Sequence, residues 1–364
     1  MTNGTVLHVA FPSHGGVGRV VADLAGAQVA SGWNVAVASP KGPLTTWLHP
    51  RAAHHDWEAT RSPGLTLRDE VRRLRRILTV VEPDVVHLHS SKAGLAGRLA
   101  LRRSRPTVFQ PHAWSFLAAA GPLATAARLW EQTAARWADV IIHVSAAERQ
   151  IGEAAGIAPR RWALVANGVD LQHFQPSDRA QARQRLGLAD APLVVCAGRI
   201  CRQKGQDLLV SIWPTVRAEV PTATLSLVGR AEEALPDLPA GVIVRPETDD
   251  PRDWYAAADL LVAPSRWEAG LPLVAREAMA CDCSVLLADL DVVRDDFPAD
   301  AGALVPVDDA MAWTEALLSR LRNPAQAHAE GGFGHRHAQS HFDIAMTSSA
   351  VDAVYRSLLD GRTA

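Results

Sequence analysis

The chain predicts an α/β protein built from two doubly wound domains of similar size. Three observations carry this. Short apolar runs alternate with amphipathic stretches from end to end, the rhythm of strand–helix–strand units around a parallel sheet. The rhythm pauses once, at the turn sequence Asn167-Gly168-Val169-Asp170 and the polar Gln175-Pro176-Ser177-Asp178, and then restarts. The length of 364 residues suits two domains of ordinary size.

In the first half, apolar runs at 6–11, 34–38, 84–88, 107–110 and 140–144 predict buried parallel strands. Helical patterns lie between them at 20–30, 67–81, 93–102 and 124–137. In the second half, strands are expected at 193–197, 223–228, 242–244, 260–263 and 284–287, with helices at 206–220, 273–280 and 311–321. The domains are therefore set at 1–170 and 171–341, followed by a terminal helix in 342–364. The apolar positions Ile344, Val351, Val354 and Leu358 suit that helix to packing on a neighbour. In doubly wound folds ligands sit outside the carboxyl ends of the strands, so a ligand is expected between the two domains.

Composition narrows the function. Hydrophobic residues make up 48% and charged residues 21%, so the whole chain should fold. A net charge of −2 gives no electrostatic case for nucleic acid. The cysteines Cys196, Cys201, Cys281 and Cys283 lack the spacing of zinc or redox motifs and are expected as reduced thiols. With no signal peptide and no run of about 18 apolar residues, a cytoplasmic protein is expected.

Several motifs sit at expected strand ends. His14-Gly15-Gly16-Val17-Gly18-Arg19 follows the first strand, where glycines let a ligand approach backbone N–H groups. Its spacing is not that of the dinucleotide fingerprint. Gly198-Arg199-Ile200-Cys201-Arg202-Gln203-Lys204-Gly205 follows the first strand of the second domain. Two cations and a helix N-terminus there suit a diphosphate. Gln110-Pro111-His112-Ala113-Trp114 sets a histidine just past a strand; a structural histidine is the plainer reading, and the strand-end position makes a role near a ligand the sharper one. The segment from Pro264 through Trp267-Glu268-Ala269-Gly270-Leu271-Pro272-Leu273 to Glu277 leaves a strand, crosses a loop and enters a helix bearing a carboxylate. Phosphate and ribose are thus both provided for. Asp289-Leu290-Asp291 matches a short metal–nucleotide pattern but reads as a surface loop, and no essential metal or other cofactor is expected.

Together these segments resemble glycosyltransferase family 4. The carriers are the Gly-Gly turn, His89-Ser90-Ser91-Lys92-Ala93-Gly94, Pro111-His112-Ala113-Trp114, Asn167-Gly168-Val169-Asp170, Gly198-Arg199 with Lys204-Gly205, Tyr255-Ala256-Ala257-Ala258-Asp259, and Pro264-Ser265 with Glu277-Ala278-Met279-Ala280. The resemblance covers essentially the whole chain. It implies GT-B architecture, two Rossmann-like domains facing each other across a cleft, with the terminal helix returning to the first. It also implies a retaining transfer of a hexose-type sugar from a nucleotide diphosphate sugar to a hydroxyl acceptor. UDP-sugar is the first expectation for the donor and GDP-mannose the second.

The resemblance further implies roles. Arg199 and Lys204 would bind the donor diphosphate, Glu277 the ribose hydroxyls, and Gly15 and Gly16 the phosphates through their backbone. His112 would lie beside the donor sugar, the backbone of Gly270, Leu271, Pro272 and Leu273 would hold sugar and phosphate, and 244–249 would lie near the base. One irregularity stands out. The family pattern has two glutamates with seven residues between them, which puts the first at Ala269; the nearest acid, Glu268, is one residue early. Either a one-residue bulge brings Glu268 inward or the first acid is absent. Two alternatives stay open: a non-hydrolysing sugar-nucleotide epimerase, and a nucleotide-sugar-binding protein that has lost catalysis. Basic runs at Arg68, Arg72, Arg73, Arg75 and Arg76 and at Arg98, Arg102, Arg103 and Arg105 suit solvated helix faces first, and peripheral contact with an anionic membrane second.

Overall fold

The computed structural model describes residues 3–60 and 64–363. It divides into two compact units, one of 1–168 joined by 344–364 and one of 169–343.

In the first unit seven parallel strands form one sheet. They are β1 (Thr5–Ala10), β2 (Asn34–Ser39), β3 (Ala53–Asp56), β4 (Val85–His89), β5 (Thr107–Gln110), β6 (Val140–His143) and β7 (Trp162–Leu164), in the order β3-β2-β1-β4-β5-β6-β7. The second unit holds six parallel strands: β8 (Leu193–Ala197), β9 (Thr224–Val228), β10 (Val242–Arg245), β11 (Leu260–Ala263), β12 (Ser284–Ala288) and β13 (Gly302–Val305), in the order β10-β9-β8-β11-β12-β13. Strand order reverses direction between β1 and β4 and between β8 and β11, and these reversals mark where ligands bind in such sheets.

Three aspartates pin the register at the opposite edge. Asp84, Asp139 and Asp259 each stand immediately before a strand, at β4, β6 and β11. Their carboxylates accept the first N–H of the neighbouring strand, from Thr5 (2.8 Å), Thr107 (2.9 Å) and Leu193 (2.7 Å). Asp259 also pairs with Arg179 and Arg183 on the helix Arg179–Leu186, so one carboxylate ties two strands to the helix that precedes them.

Apolar side chains cover both sheet faces. In the first unit, one face packs Leu7, Trp57, Phe109 and Trp114, and the other packs Val21, Leu24, Val37 and Val140. The second group includes Val351, Val354 and Tyr355 of the terminal helix Ile344–Thr363, which packs near the helix Gly15–Ala30. Trp213 and Trp313 are fully buried in the core of the second unit.

Several boundaries shift from expectation. Three short edge strands, β3, β7 and β13, were not anticipated, and of these β3 carries no apolar run. The first helix starts at Gly15, so Gly15 and Gly16 form its opening turn. Four longer helices, Ala146–Ala154, Arg179–Leu186, Arg252–Ala257 and Pro324–His341, also lay outside the expected set. The expected solvated face around Arg98 is corrected: Arg98 is fully buried, paired with Glu131 at 2.8 Å and stacked on Phe109. Among the described residues no helix is long and apolar enough to cross a membrane.

Asp259→Ala should destabilise the second unit by about 2 kcal/mol, the value of hydrogen bonds to a charged group. Urea denaturation measures this, and a loss within error of zero would show that the aspartate does not set the register.

Candidate active site

The glycine, histidine and basic motifs singled out in the sequence fall where β1, β4, β5, β8 and β11 end. In the second unit two of these loops are packed into one structure. Gly205 has a φ of +69°, and a Cβ placed on it would come within 2.2 Å of the Pro264 carbonyl oxygen. Only glycine allows that approach, so Gly205 brings the loop after β8 against the loop after β11. Hydrogen bonds then join them: Arg266 N–H donates to the Gln203 carbonyl (2.8 Å), and the Gln203 amide donates to the Trp267 carbonyl (3.1 Å).

This packing sets the charged groups. Arg199 donates to Glu232 (2.7 Å) and to Gln203 Oε1 (2.9 Å). Lys204 Nζ pairs with Glu268 at 2.5 Å, both partly buried. Glu268 is thus turned onto a cation that the sequence assigns to phosphate. Both cations already hold one carboxylate each, so an arriving anion must compete with Glu232 and Glu268. Gly270, Leu271 and Pro272 lead into the helix Leu273–Ala280, whose positive end faces that turn. One turn inside, Glu277 is buried and accepts a hydrogen bond from the Tyr255 hydroxyl at 2.6 Å. Burial and the adjacent Glu277 charge hold the Tyr255 phenol far above its ordinary range, so it stays a donor. Tyr255 therefore fixes the Glu277 carboxylate, a role the sequence did not reveal.

In the first unit, a Cβ placed on Gly15 or Gly16 would meet nothing within 4 Å, whereas one on Gly18 would touch Ser13. Gly18 is the packing glycine, and the backbone at Gly15 and Gly16 is open to approach. His112 and Ala113 both have positive φ, at 51° and 88°. That turn is held by Glu148, which accepts from Ala113 N–H (2.9 Å) and from Val144 N–H (2.8 Å). His112 Nε2 lies 3.1 Å from His89 Nδ1, and burial holds the His112 pKa down at about 4, so its ring is neutral at pH 7. His89 lies in a motif that carries the family resemblance, whereas Glu148, 36 residues from His112, follows no periodic pattern with it and left no signal in the sequence.

Asp289 and Asp291 both pair with Arg294, and Asp291 opens the short helix Asp291–Arg294, so these acids are occupied rather than presented as an open pair. All four cysteines are unpaired and buried, and burial pushes the Cys196 and Cys283 thiols up to about 12. A cavity of about 560 Å³ beside the same loops is lined by Cys201, Arg202, Asp207, Leu235 and Arg266 but by none of Arg199, Lys204, Glu268 or Glu277.

The architecture is that of the GT-B fold. The Anabaena protein HepE in complex with UDP-glucose shares this fold, with a TM-score of 0.84 at 20% identity over 97% of this chain and 100% of that one. So does sucrose-phosphate synthase from Thermosynechococcus elongatus, with a TM-score of 0.83 at 22% identity over 98% and 100%. The sequence narrows the class. Residues 14–173 match the model of Glycosyltransferase Family 4, and 191–323 match that of Glycosyl transferases group 1. D-inositol 3-phosphate glycosyltransferase 1 of Catenulispora acidiphila is 33% identical over 76% of this chain and 73% of that protein. The lipopolysaccharide core biosynthesis mannosyltransferase LpcC of Rhizobium leguminosarum bv. viciae is 32% identical over 54% and 60%. The chain belongs to glycosyltransferase family 4 and is a hexosyltransferase.

Glu148 yields a pH prediction. Burial pushes its carboxyl up to about 7 from 4.5, against the pull of two backbone donors. A raised carboxyl contributes stability that is full below pH 4.5 and is lost as pH rises through 7. The loss should reach at most about 3 kcal/mol. Denaturant titrations across that window should show the decline in the parent and a flatter profile in Glu148→Gln; parallel profiles would refute the assignment.

Proposed function

We propose that this chain transfers a hexose-type sugar, with retention of anomeric configuration, from a nucleotide diphosphate sugar to a hydroxyl acceptor. The observation that carries the reading is that one unit holds a fixed buried carboxylate, Glu277, beyond one switch-point loop and two cations, Arg199 and Lys204, on the adjacent one. Ribose hydroxyls need an acceptor held in place, and a diphosphate needs positive charge. The second unit supplies both.

The residues imply a chemistry. Breaking the bond to the anomeric carbon places negative charge on the departing diphosphate. Arg199, Lys204 and the N-terminal turn of the helix Leu273–Ala280 stabilise that charge without reorganising. The cations do the work often given to a metal, so no essential metal is proposed. In a retaining transfer the acceptor attacks the face the diphosphate leaves, and a phosphate oxygen takes the acceptor proton. Such a step requires no paired carboxylates. Glu232 and Glu268 give up their cations when the diphosphate arrives, and Glu268 is then released toward the sugar. His112 is assigned to the donor sugar as well.

UDP-sugar is proposed as donor because HepE, which shares the fold, was solved in complex with UDP-glucose. GDP-mannose is a second reading. It is supported by a GDP-mannose-dependent mannosyltransferase of Corynebacterium glutamicum, 30% identical over 60% of this chain. The acceptor-binding role is proposed for the first unit.

Lys204→Ala and Glu277→Ala should each lower turnover by about a hundredfold or more while leaving the folded state intact by circular dichroism. Full activity in both would sink the reading. In a thermal-shift screen of UDP, GDP, ADP and their sugars, the true donor at a hundredfold excess over its Kd should stabilise by about 2.7 kcal/mol. Glu268→Ala should alter donor affinity or turnover, and no change in either would remove Glu268 from the site.

A further inference from the structure

Three imidazoles, His8, His87 and His89, are fully buried in the sheet of the first unit, and their nitrogens lie within 4.8 Å of one another. Three histidines so placed raise the question of a metal. The spacing argues against it: His8 Nδ1 and His89 Nε2 are 2.9 Å apart, a hydrogen-bond length. Two nitrogens on one tetrahedral zinc at about 2.05 Å would stand about 3.3 Å apart.

The same distances define a chain. The Gln28 amide nitrogen faces Asp352 Oδ1 at 3.4 Å; burial raises the Asp352 carboxyl and the Gln28 N–H opposes that rise, and the oxygen facing Gln28 accepts. That orientation turns Gln28 Oε1 onto His8 Nε2 at 2.8 Å, so His8 Nε2 must carry the proton and donate. A neutral imidazole has one N–H, and burial keeps His8, His89 and His112 neutral at pH 7. His8 Nδ1 is then bare and accepts from His89 Nε2–H. His89 Nδ1 is bare in turn and accepts from His112 Nε2–H at 3.1 Å. Each bond fixes the tautomer of the next ring.

We propose that Asp352, Gln28, His8 and His89 form a positioning chain that holds His112 in its Nε2–H tautomer, leaving Nδ1 as a lone-pair acceptor for a sugar hydroxyl. The inference rests on the reading of His112 as a donor-sugar residue. His87 stands outside the chain, with its Nδ1 held by the Tyr355 hydroxyl at 2.7 Å. The chain runs from the terminal helix through the first helix and across β1 and β4 to the loop after β5. It therefore gives the terminal helix a part in the site beyond packing.

The test is ¹⁵N NMR of the full chain labelled at histidine, with the His112 ring assigned by its absence in His112→Gln. The proposal expects a protonated Nε2 and a bare Nδ1 for His112 in the parent protein. In Gln28→Leu the bias should relax, and kcat should fall about fivefold with an unchanged donor KM, the effect of about one hydrogen bond. A His112 ring protonated at Nδ1 overturns the chain, as does about one equivalent of transition metal in the purified protein. A folded Gln28→Leu with the parent tautomer and the parent kcat overturns it too. Should Gln28→Leu fail to fold, the parent spectrum decides alone. Full activity in His112→Ala would instead overturn the role of His112 and leave the proton order standing, so the two failures are distinguishable.

Discussion

The parallel register of the two sheets is the constraint on which the rest of this protein depends. Parallel pairing sends every strand out of the sheet at the same edge, so every loop able to carry chemistry gathers there. The register is held from the opposite edge, where Asp84, Asp139 and Asp259 each accept the opening N–H of a neighbouring strand. A slip of one residue would leave those carboxylates unpaired and would exchange the two faces of a buried strand. Keeping structure at one edge frees the other for loops that need glycine, positive φ and partly paired charge.

The two units solve their electrostatics differently. In the second, each cation is paired with one carboxylate, in sites that retain some water contact. Such pairs contribute little to stability, so exchanging a carboxylate for a phosphate is affordable. In the first, the polar groups lie deep in the sheet, where a lone charge would cost several kcal/mol. The histidines there are neutral, and direction comes from hydrogen bonds instead of charge. Glu148 lies between these cases. Two backbone donors favour its ionised form and burial opposes it, and burial wins.

Much of this was legible in the sequence, and what was missed has physical reasons. Central strands such as Leu193–Ala197 and Leu260–Ala263 sit where their apolar runs predict, because a strand buried on both faces is mostly apolar. Edge strands escape that demand, and Ala53–Asp56 holds only alanine, two histidines and an aspartate. Glycine motifs marked the loops because close backbone approach leaves few residue choices, as at Gly205. Partners set by tertiary packing left no local trace. Tyr255 under Glu277, Glu148 under Ala113 and the burial of Arg98 each depend on elements distant in sequence. The irregular spacing at Glu268 was visible, but its pairing with Lys204 needed the fold.

The central claim is that the loops after β8 and β11 hold the nucleotide diphosphate. Hydrogen–deuterium exchange with and without saturating UDP, and separately GDP, tests it most directly. The account predicts that the preferred nucleotide protects amides in 198–206 and 265–275, with little change around Leu235 in the neighbouring cavity. Protection centred on that cavity, or no protection in either loop from any nucleotide, would contradict it.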